Sequence, residues 1–394
     1  MKPLLYTVCP RPAHPTRDGA AIRNFYLLRA LARVFRVKTL VLLPPHLRGV
    51  PEEWPEGVEV ERIRQRPRAV RQAAALAGSV LQGREYSSLL YRSRPLTSRL
   101  STLCAREKPE WVLAHSYHVA PLVPDGAAPL WIDFHNVDSE IWRRIGQSHP
   151  SRLKARFALS QAPRVRRLET RLVARADGIS CVSARDARQL EELSPRVPPL
   201  VVPNGVDLER YRIRTETPDE EIVFFVGDLT WPPNAEGLCW FEREVWPLIR
   251  RDRPAARVEV LGRGVPASSH ERFRYLGEGG DTRPHWAHAS VSIVPLRAGG
   301  GTRLKILEAA AAGVPVVSTR LGAEGLTLAE GTEILLRDDP AAFAEAVSTL
   351  LSDRDLGRRQ AAAARRRVEE SYGWEAIGER FSRELLRRGR HGRE

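Results

Sequence analysis

The sequence predicts an α/β protein of two doubly wound, Rossmann-like domains in series. Three observations carry this. Short apolar runs alternate with helical periodicities from the N-terminus, a proline-rich break interrupts them near residue 200, and the alternation restarts beyond it. A chain of 394 residues also exceeds one comfortable hydrophobic core and fits two.

Residues 4–8 read as the first strand. Residues 21–34 follow as a helix with Ile22, Phe25, Leu28 and Leu31 as its apolar positions, and 37–43 as the next strand. Residues 111–114 and 130–134 are later strands that end in polar loops, and 150–176 form a long, strongly basic helix. A strand at 178–182 leads to Ser183, a candidate cap for the helix after it. The break spans 195–211 and contains Val202-Pro-Asn-Gly-Val-Asp207. Beyond it, 221–227, 256–262, 289–295 and 315–319 read as strands, with helices at 235–250 and 302–312. The resulting domains are 1–200 and 201–375, followed by a C-terminal helix over 376–394 whose return to the first domain is left open. In doubly wound sheets ligands gather beyond the carboxyl ends of the strands, so two domains facing each other across a cleft place the site there.

The net charge of +14 is unevenly placed. Residues 1–205 hold 33 Lys and Arg against 18 Asp and Glu, whereas 206–394 hold 29 against 30. One basic cluster runs from Arg62 to Arg71 and another from Arg143 to Arg175. Such a face suits a polyanion, whether a membrane leaflet or a phosphate-bearing substrate. Arginine-rich usage on ordinary solvated helices gives the same count. The clusters lack interleaved aromatics for base stacking, so no nucleic-acid partner is expected. The four cysteines are far apart and form no CxxC pair, as expected of reduced, packed thiols. No apolar run reaches the roughly 18 residues a membrane span needs, and no secretory leader is legible at the N-terminus. A cytoplasmic location is the expectation.

Residues 291–319 carry the most chemistry. A strand enters Leu296-Arg-Ala-Gly-Gly-Gly-Thr-Arg-Leu-Lys-Ile-Leu-Glu308. Gly299, Gly300 and Gly301 remove side chains where backbone approaches a ligand. The helix beginning near Thr302 offers unpaired N–H groups and a positive dipole end to a diphosphate. Arg303 and Lys305 add cationic donors, and Glu308 is placed to accept from a ribose diol. By itself, a glycine-rich turn equally serves close packing of helix on strand. No Asp-x-Asp lies in the loops that follow the later strands and no His/Cys grouping has zinc spacing, so neither a metal nor another cofactor is expected.

The run from Gly299 to Thr319 resembles the donor-site signature of the family 4 retaining glycosyltransferases of the GT-B fold. The segments 202–207, 225–234 (Phe-Val-Gly-Asp-Leu-Thr-Trp-Pro-Pro-Asn), 176–183 and 18–23 fit the same family. The resemblance implies a nucleotide diphosphate sugar as donor, transfer with retention, and a ribose-binding role for Glu308. Many members carry two glutamates separated by seven residues; the first falls here on Gly300, which leaves open what grips the sugar. The family often holds the diphosphate through an Arg and a Lys after the first strand of the second domain. Here that loop carries Gly227, Asp228 and Trp231, so Arg303 and Lys305, joined by Arg263, are the candidates to replace them. The resemblance places His135 at the reaction centre and Gly19 near the donor phosphates; by position, Arg23 one turn into the next helix and His118 after an earlier strand end are acceptor-side candidates. A lipid-linked, phosphate-bearing acceptor at the inner face of an anionic membrane fits the basic first domain. A nucleotide-sugar epimerase and a non-catalytic donor-binding scaffold are the alternatives.

Overall fold

The computed structural model describes residues 2–14, 19–47, 52–148, 151–211, 213, 218, 220–264, 272–278, 281–298 and 303–391. The chain divides into two compact units, Met1–Pro203 with Glu375–Glu394, and Asn204–Trp374.

In the first unit β1 (Leu4–Cys9), β2 (Arg36–Leu43), β3 (Val58–Arg64), β4 (Trp111–Ala114), β5 (Leu130–Phe134), β6 (Gly178–Cys181) and β7 (Leu200–Val201) form one sheet. Their spatial order is β3-β2-β1-β4-β5-β6-β7 and every pairing is parallel. Strands covered on both faces read as continuous apolar runs, which is why LLYTVC, WVLA and LWIDF stand out in the sequence. The strand order reverses between β1 and β4, so the carboxyl ends of β1, β4 and β5 border the switch point. β3 lies outside the strands read from apolar runs. It is an edge strand in which Val and Ile alternate with exposed Glu59, Arg62 and Arg64, so its apolar half is diluted by charge. One member of the basic cluster is thereby paired in place, Arg62 reaching Glu52 at 3.1 Å, and the strand's Glu61 holds Arg99 at 2.7 Å.

The C-terminal helix Trp374–His391 packs on the same sheet. Trp111 donates its Nε1–H to Leu385 O at 3.1 Å, and Trp131 meets Phe381 edge-on at 5.7 Å. Trp131 fills a space that Gly178 vacates, since a Cβ on Gly178 would sit 2.0 Å from the indole.

The second unit repeats the plan with β8 (Ile222–Val226), β9 (Arg257–Leu261), β10 (Phe273–Gly277), β11 (Val291–Val294), β12 (Val316–Ser318) and β13 (Leu335–Leu336). Their order is β10-β9-β8-β11-β12-β13, again all parallel, and the reversal falls between β8 and β11. The expected helix at 235–250 starts earlier, at Pro232, and is not uniform. A π turn over Phe241–Val245 separates the helices Pro232–Trp240 and Trp246–Asp252. Pro247 has no N–H to donate and its ring crowds the carbonyl one turn back, which the widened turn relieves. The helix Leu304–Ala312 ends on Gly313 at φ 76°, a left-handed cap that starts the return to β12.

Candidate active site

In the second unit the strand ends and the helix Leu304–Ala312 bring four groups together. Gly227 directly follows β8, and its N–H donates to Leu261 O at 2.9 Å. A Cβ on Gly227 would lie 2.8 Å from Lys305 Nζ and 2.9 Å from Asn234 Nδ2, so glycine here lets both side chains cross the backbone. Lys305 Nζ donates to Asn234 Oδ1 at 3.1 Å and lies 4.2 Å from the centre of the Phe225 ring. Burial pushes the Lys305 ammonium down to about 7, with Arg303 lowering it further and Glu308 opposing.

Arg303 stands at the N-cap of that helix and is buried, its guanidinium 5.2 Å from the Trp231 ring. The N-cap Arg303 makes no side-chain capping hydrogen bond, and the positive dipole end coincides with two cationic residues. Glu308, half-buried one turn on, has its carboxyl raised by burial against the opposing Tyr211 hydroxyl, Arg210 and Lys305. Tyr211 in turn shares a hydrogen bond with Thr282 at 2.9 Å. These groups offer cations for a diphosphate and a carboxylate for a diol within one helical turn.

Two candidates behave otherwise. Arg263 is exposed, is bound by the Asp228 carboxylate and lies 3.8 Å from Glu278, so a diphosphate would compete with these carboxylates for it. Asp228 also accepts from Thr230 N at 2.9 Å and Thr230 Oγ1 at 2.6 Å. Burial raises its carboxyl, and Arg263 and Thr230 more than reverse this, leaving it below the ordinary range. Gly299, Gly300, Gly301 and Thr302 lie outside the described residues.

In the first unit the loops after β4 and β5 converge. Asp133, fully buried on β5, receives Arg23 in a fork, Nε to Oδ2 at 2.8 Å and Nη2 to Oδ1 at 2.7 Å. Ser180 Oγ donates to Oδ1 at 2.7 Å, and His135 Nε2 lies 3.3 Å from Oδ2. Desolvation raises the Asp133 carboxyl, but Arg23 and then His135 hold it well below the usual carboxylate range. The acceptor-side assignment of Arg23 is corrected here. It is 1% exposed, and its remaining donor goes to Val202 O at 2.8 Å and Pro203 O at 3.3 Å, so the guanidinium is spent within the fold. Gly19 opens the helix Gly19–Val34 and is exposed.

His115 follows β4, fully buried, and neither ring nitrogen has a hydrogen-bond partner among the described residues. Burial pushes it down to about 3. Ser116 beside it is forced to φ 120°, a left-handed conformation that turns the chain sharply. His118 then projects from the loop, its Nδ1 2.6 Å from Ser116 Oγ and its Nε2 3.5 Å from Asp138 Oδ2. Burial pushes His118 down to about 3 and raises Asp138 and Glu169 each to about 7. Ligand atoms of His115, Asp133 and His135 lie within 4.8 Å of one another, a grouping with metal-binding geometry. Both Asp133 oxygens already accept from Arg23.

Asp133, Asn234, Tyr211 and Phe225 are absent from the residues chosen by sequence. Asp133 had a signal: an ionised residue inside an otherwise apolar strand demands a buried partner. Asn234 and Tyr211 reach Lys305 and Glu308 over long sequence separations that no local pattern reports.

Two all-parallel units, each with a reversal of strand order beside its first strand, define a protein of the two-domain Rossmann class. Residues 17–210 match the family described as Glycosyltransferase Family 4, and 220–353 the one described as Glycosyl transferases group 1. The chain belongs to the family 4 glycosyltransferases. It is 26% identical over 136 residues to an uncharacterized 44.6 kDa protein in the cps region of Klebsiella pneumoniae, covering 31% of this chain and 35% of that protein. It is 28% identical over 234 residues to glycogen synthase of Mycobacterium tuberculosis, covering 54% and 55%. The matched stretches thus span about a third to about half the length of these curated relatives. Among solved structures, sucrose-phosphate synthase from Thermosynechococcus elongatus superposes with TM-score 0.73 at 16% identity, over 99% of this chain and 100% of that one. HepE from Anabaena, in complex with UDP and glucose, gives 0.68 at 14% identity over 97% and 99%. These likenesses establish the GT-B fold.

Proposed function

We propose that this chain transfers a sugar from a nucleotide diphosphate sugar to an acceptor with retention of configuration, in polysaccharide or glycolipid assembly. The observation that carries it is the convergence of Arg303, Lys305 and Glu308 at the start of the helix Leu304–Ala312, beside glycine at the end of β8. In this reading Glu308 accepts from the ribose hydroxyls. Arg303, Lys305 and the helix dipole stabilise the charge that develops on the departing diphosphate, the dominant contribution to such a transfer. His135 is the catalytic candidate of the first unit. Its Nε2 lies 3.3 Å from Asp133 Oδ2, close enough for the carboxylate to orient the ring electrostatically. The reading includes no resident metal; at the histidine–aspartate grouping both Asp133 oxygens already accept from Arg23.

A membrane-apposed setting is favoured by the surface of the first unit. Helix Arg68–Gln82 exposes Val70, Leu76, Val80 and Leu81, the last 82% exposed. Helix Arg152–Arg175 exposes Leu153 and Leu159, and Ser79 ties the two helices together through Gln161 and Arg164. Apolar side chains beside arginines on adjoining helices suit the boundary of an anionic bilayer, at the cytoplasmic face. No helix among the described residues is long and apolar enough to cross a membrane.

Thermal-shift titration with UDP-, GDP-, dTDP- and ADP-sugars tests the donor. One of them raises the melting temperature of the wild type and not of Glu308→Ala; no response to any would reject the reading. Conversion of a nucleotide sugar to another without acceptor would point to an epimerase. Sedimentation with phosphatidylglycerol vesicles at low salt tests the membrane surface, and equal recovery in the supernatant with and without vesicles removes it.

A further inference from the structure

A cavity of about 620 Å³ opens in the first unit beside His118, walled by the segment 84–102 and the loop 118–124. Its wall holds Arg84, Arg92 and Arg94, hydroxyls such as Thr97 and Ser101, and no carboxylate. Elsewhere in this unit arginines are repeatedly matched with acids, as at Arg62–Glu52, Arg99–Glu61 and Arg143–Glu140. Among the described residues none of the three cavity arginines has a carboxylate partner. Glu85, the buried carboxylate next in sequence to Arg84, is turned to the Ser88 hydroxyl at 2.5 Å and does not line the wall.

The cavity also receives the start of the helix Arg94–Glu107, which is 14 residues long, with Ser93 at its N-cap accepting from Leu96 N at 3.4 Å. Thr97, Ser98 and Ser101 follow along the wall, so the dipole end, three guanidinium groups and a row of hydroxyl donors face the same volume. Convergent cations and hydroxyls with no competing carboxylate favour an anionic, acceptor-rich group. A phosphate or diphosphate meets that description, and planar forks recognise its oxygens two at a time. His118 joins the wall from the loop that also carries buried His115, so an anion held here lies beside the loop ends that flank His135.

We propose that this cavity binds the phosphate of a phosphorylated acceptor, an assignment that rests on reading the first unit as the acceptor-binding half. The anion fixes the acceptor's charged end while its sugar hydroxyl is presented to transfer. The chemistry is that of a phosphate ester, whether it comes from a soluble sugar phosphate or from a lipid headgroup.

The test uses the full chain at low ionic strength, because exposed guanidinium groups are screened by salt. Glucose 6-phosphate, glucose, and phosphatidylcholine vesicles with and without phosphatidic acid are titrated against three proteins. These are the wild type, the triple variant Arg84→Gln, Arg92→Gln, Arg94→Gln, and Lys305→Ala, with UDP binding measured on each. The expected result is binding of glucose 6-phosphate, of phosphatidic acid vesicles or of both, weakened tenfold or more in the triple variant. Glucose does not bind, UDP binding is kept in the triple variant, and the phosphate ligand still binds Lys305→Ala. The ligand that responds identifies the source of the phosphate. Equal affinity in the wild type and triple variant, or loss of phosphate binding in Lys305→Ala alone, overturns the assignment. Absence of UDP binding in the wild type rejects the donor reading instead and leaves the phosphate arms readable. The substituted residues are exposed, and an unchanged melting temperature of the free triple variant excludes a folding defect.

Discussion

Arg23 makes the strongest single prediction, because its removal strands a charge. Its guanidinium is 1% exposed and donates to both Asp133 oxygens and to the carbonyls of Val202 and Pro203. Replacement by methionine keeps the stem and deletes the charge. Breaking one side of a buried pair costs about 3–5 kcal/mol, against a total stability of about 5–15 kcal/mol for a typical domain. The sign of the pH dependence follows from the causes of the Asp133 shift. In the wild type Arg23 holds that carboxyl below its unfolded value, so the group contributes stability above the ordinary carboxylate range and loses it as pH falls through the depressed folded value. In Arg23→Met desolvation dominates, the folded carboxyl lies above its unfolded value, and stability is lost as pH rises through it. The variant should therefore be closer to the wild type at pH 5 than at pH 7.5. Urea unfolding followed by near-ultraviolet circular dichroism at both pH values reads this. A loss of under about 1 kcal/mol that does not change with pH would refute the buried clamp. Recovery in Arg23→Met with Asp133→Leu would support it, because the pair is then replaced by apolar volume.

Three further outcomes follow from the same geometry. Lys305, held down to about 7, should take up a proton when a diphosphate binds, so UDP affinity falls between pH 7 and 9 by up to about tenfold per unit. Calorimetry in buffers of different ionisation enthalpy shows this uptake, and Lys305→Met abolishes it. Gly262→Ala places a Cβ 1.9 Å from Gly227 O and should cost at least about 3 kcal/mol, whereas Gly83→Ala, at φ 62° in open space, should cost about 1 kcal/mol by urea unfolding. Transfer should survive EDTA, and a steep loss restored by manganese would contradict the metal-free reading.

The buried strands were legible because parallel strands covered on both faces must be apolar throughout, and 111–114 and 130–134 fall where the apolar runs place them. β3 was not, since an edge strand needs only one apolar face, and the π turn at Phe241–Val245 was not, since it answers a single proline within a strong helical pattern.

The sequence by itself determined the two parallel sheets, and the Arg303, Lys305, Glu308 spacing that sets three groups along the opening of one helix. These are local properties: apolar run length, helical period and glycine content act between neighbours in the chain. Only the tertiary structure decided which charges are spoken for. Arg23 meets Asp133 across 110 residues, Arg263 meets Asp228 across 35, and Asn234 meets Lys305 across 71. A side chain's charge is written in its residue type, but whether that charge is neutralised or left for a ligand depends on what the fold packs against it.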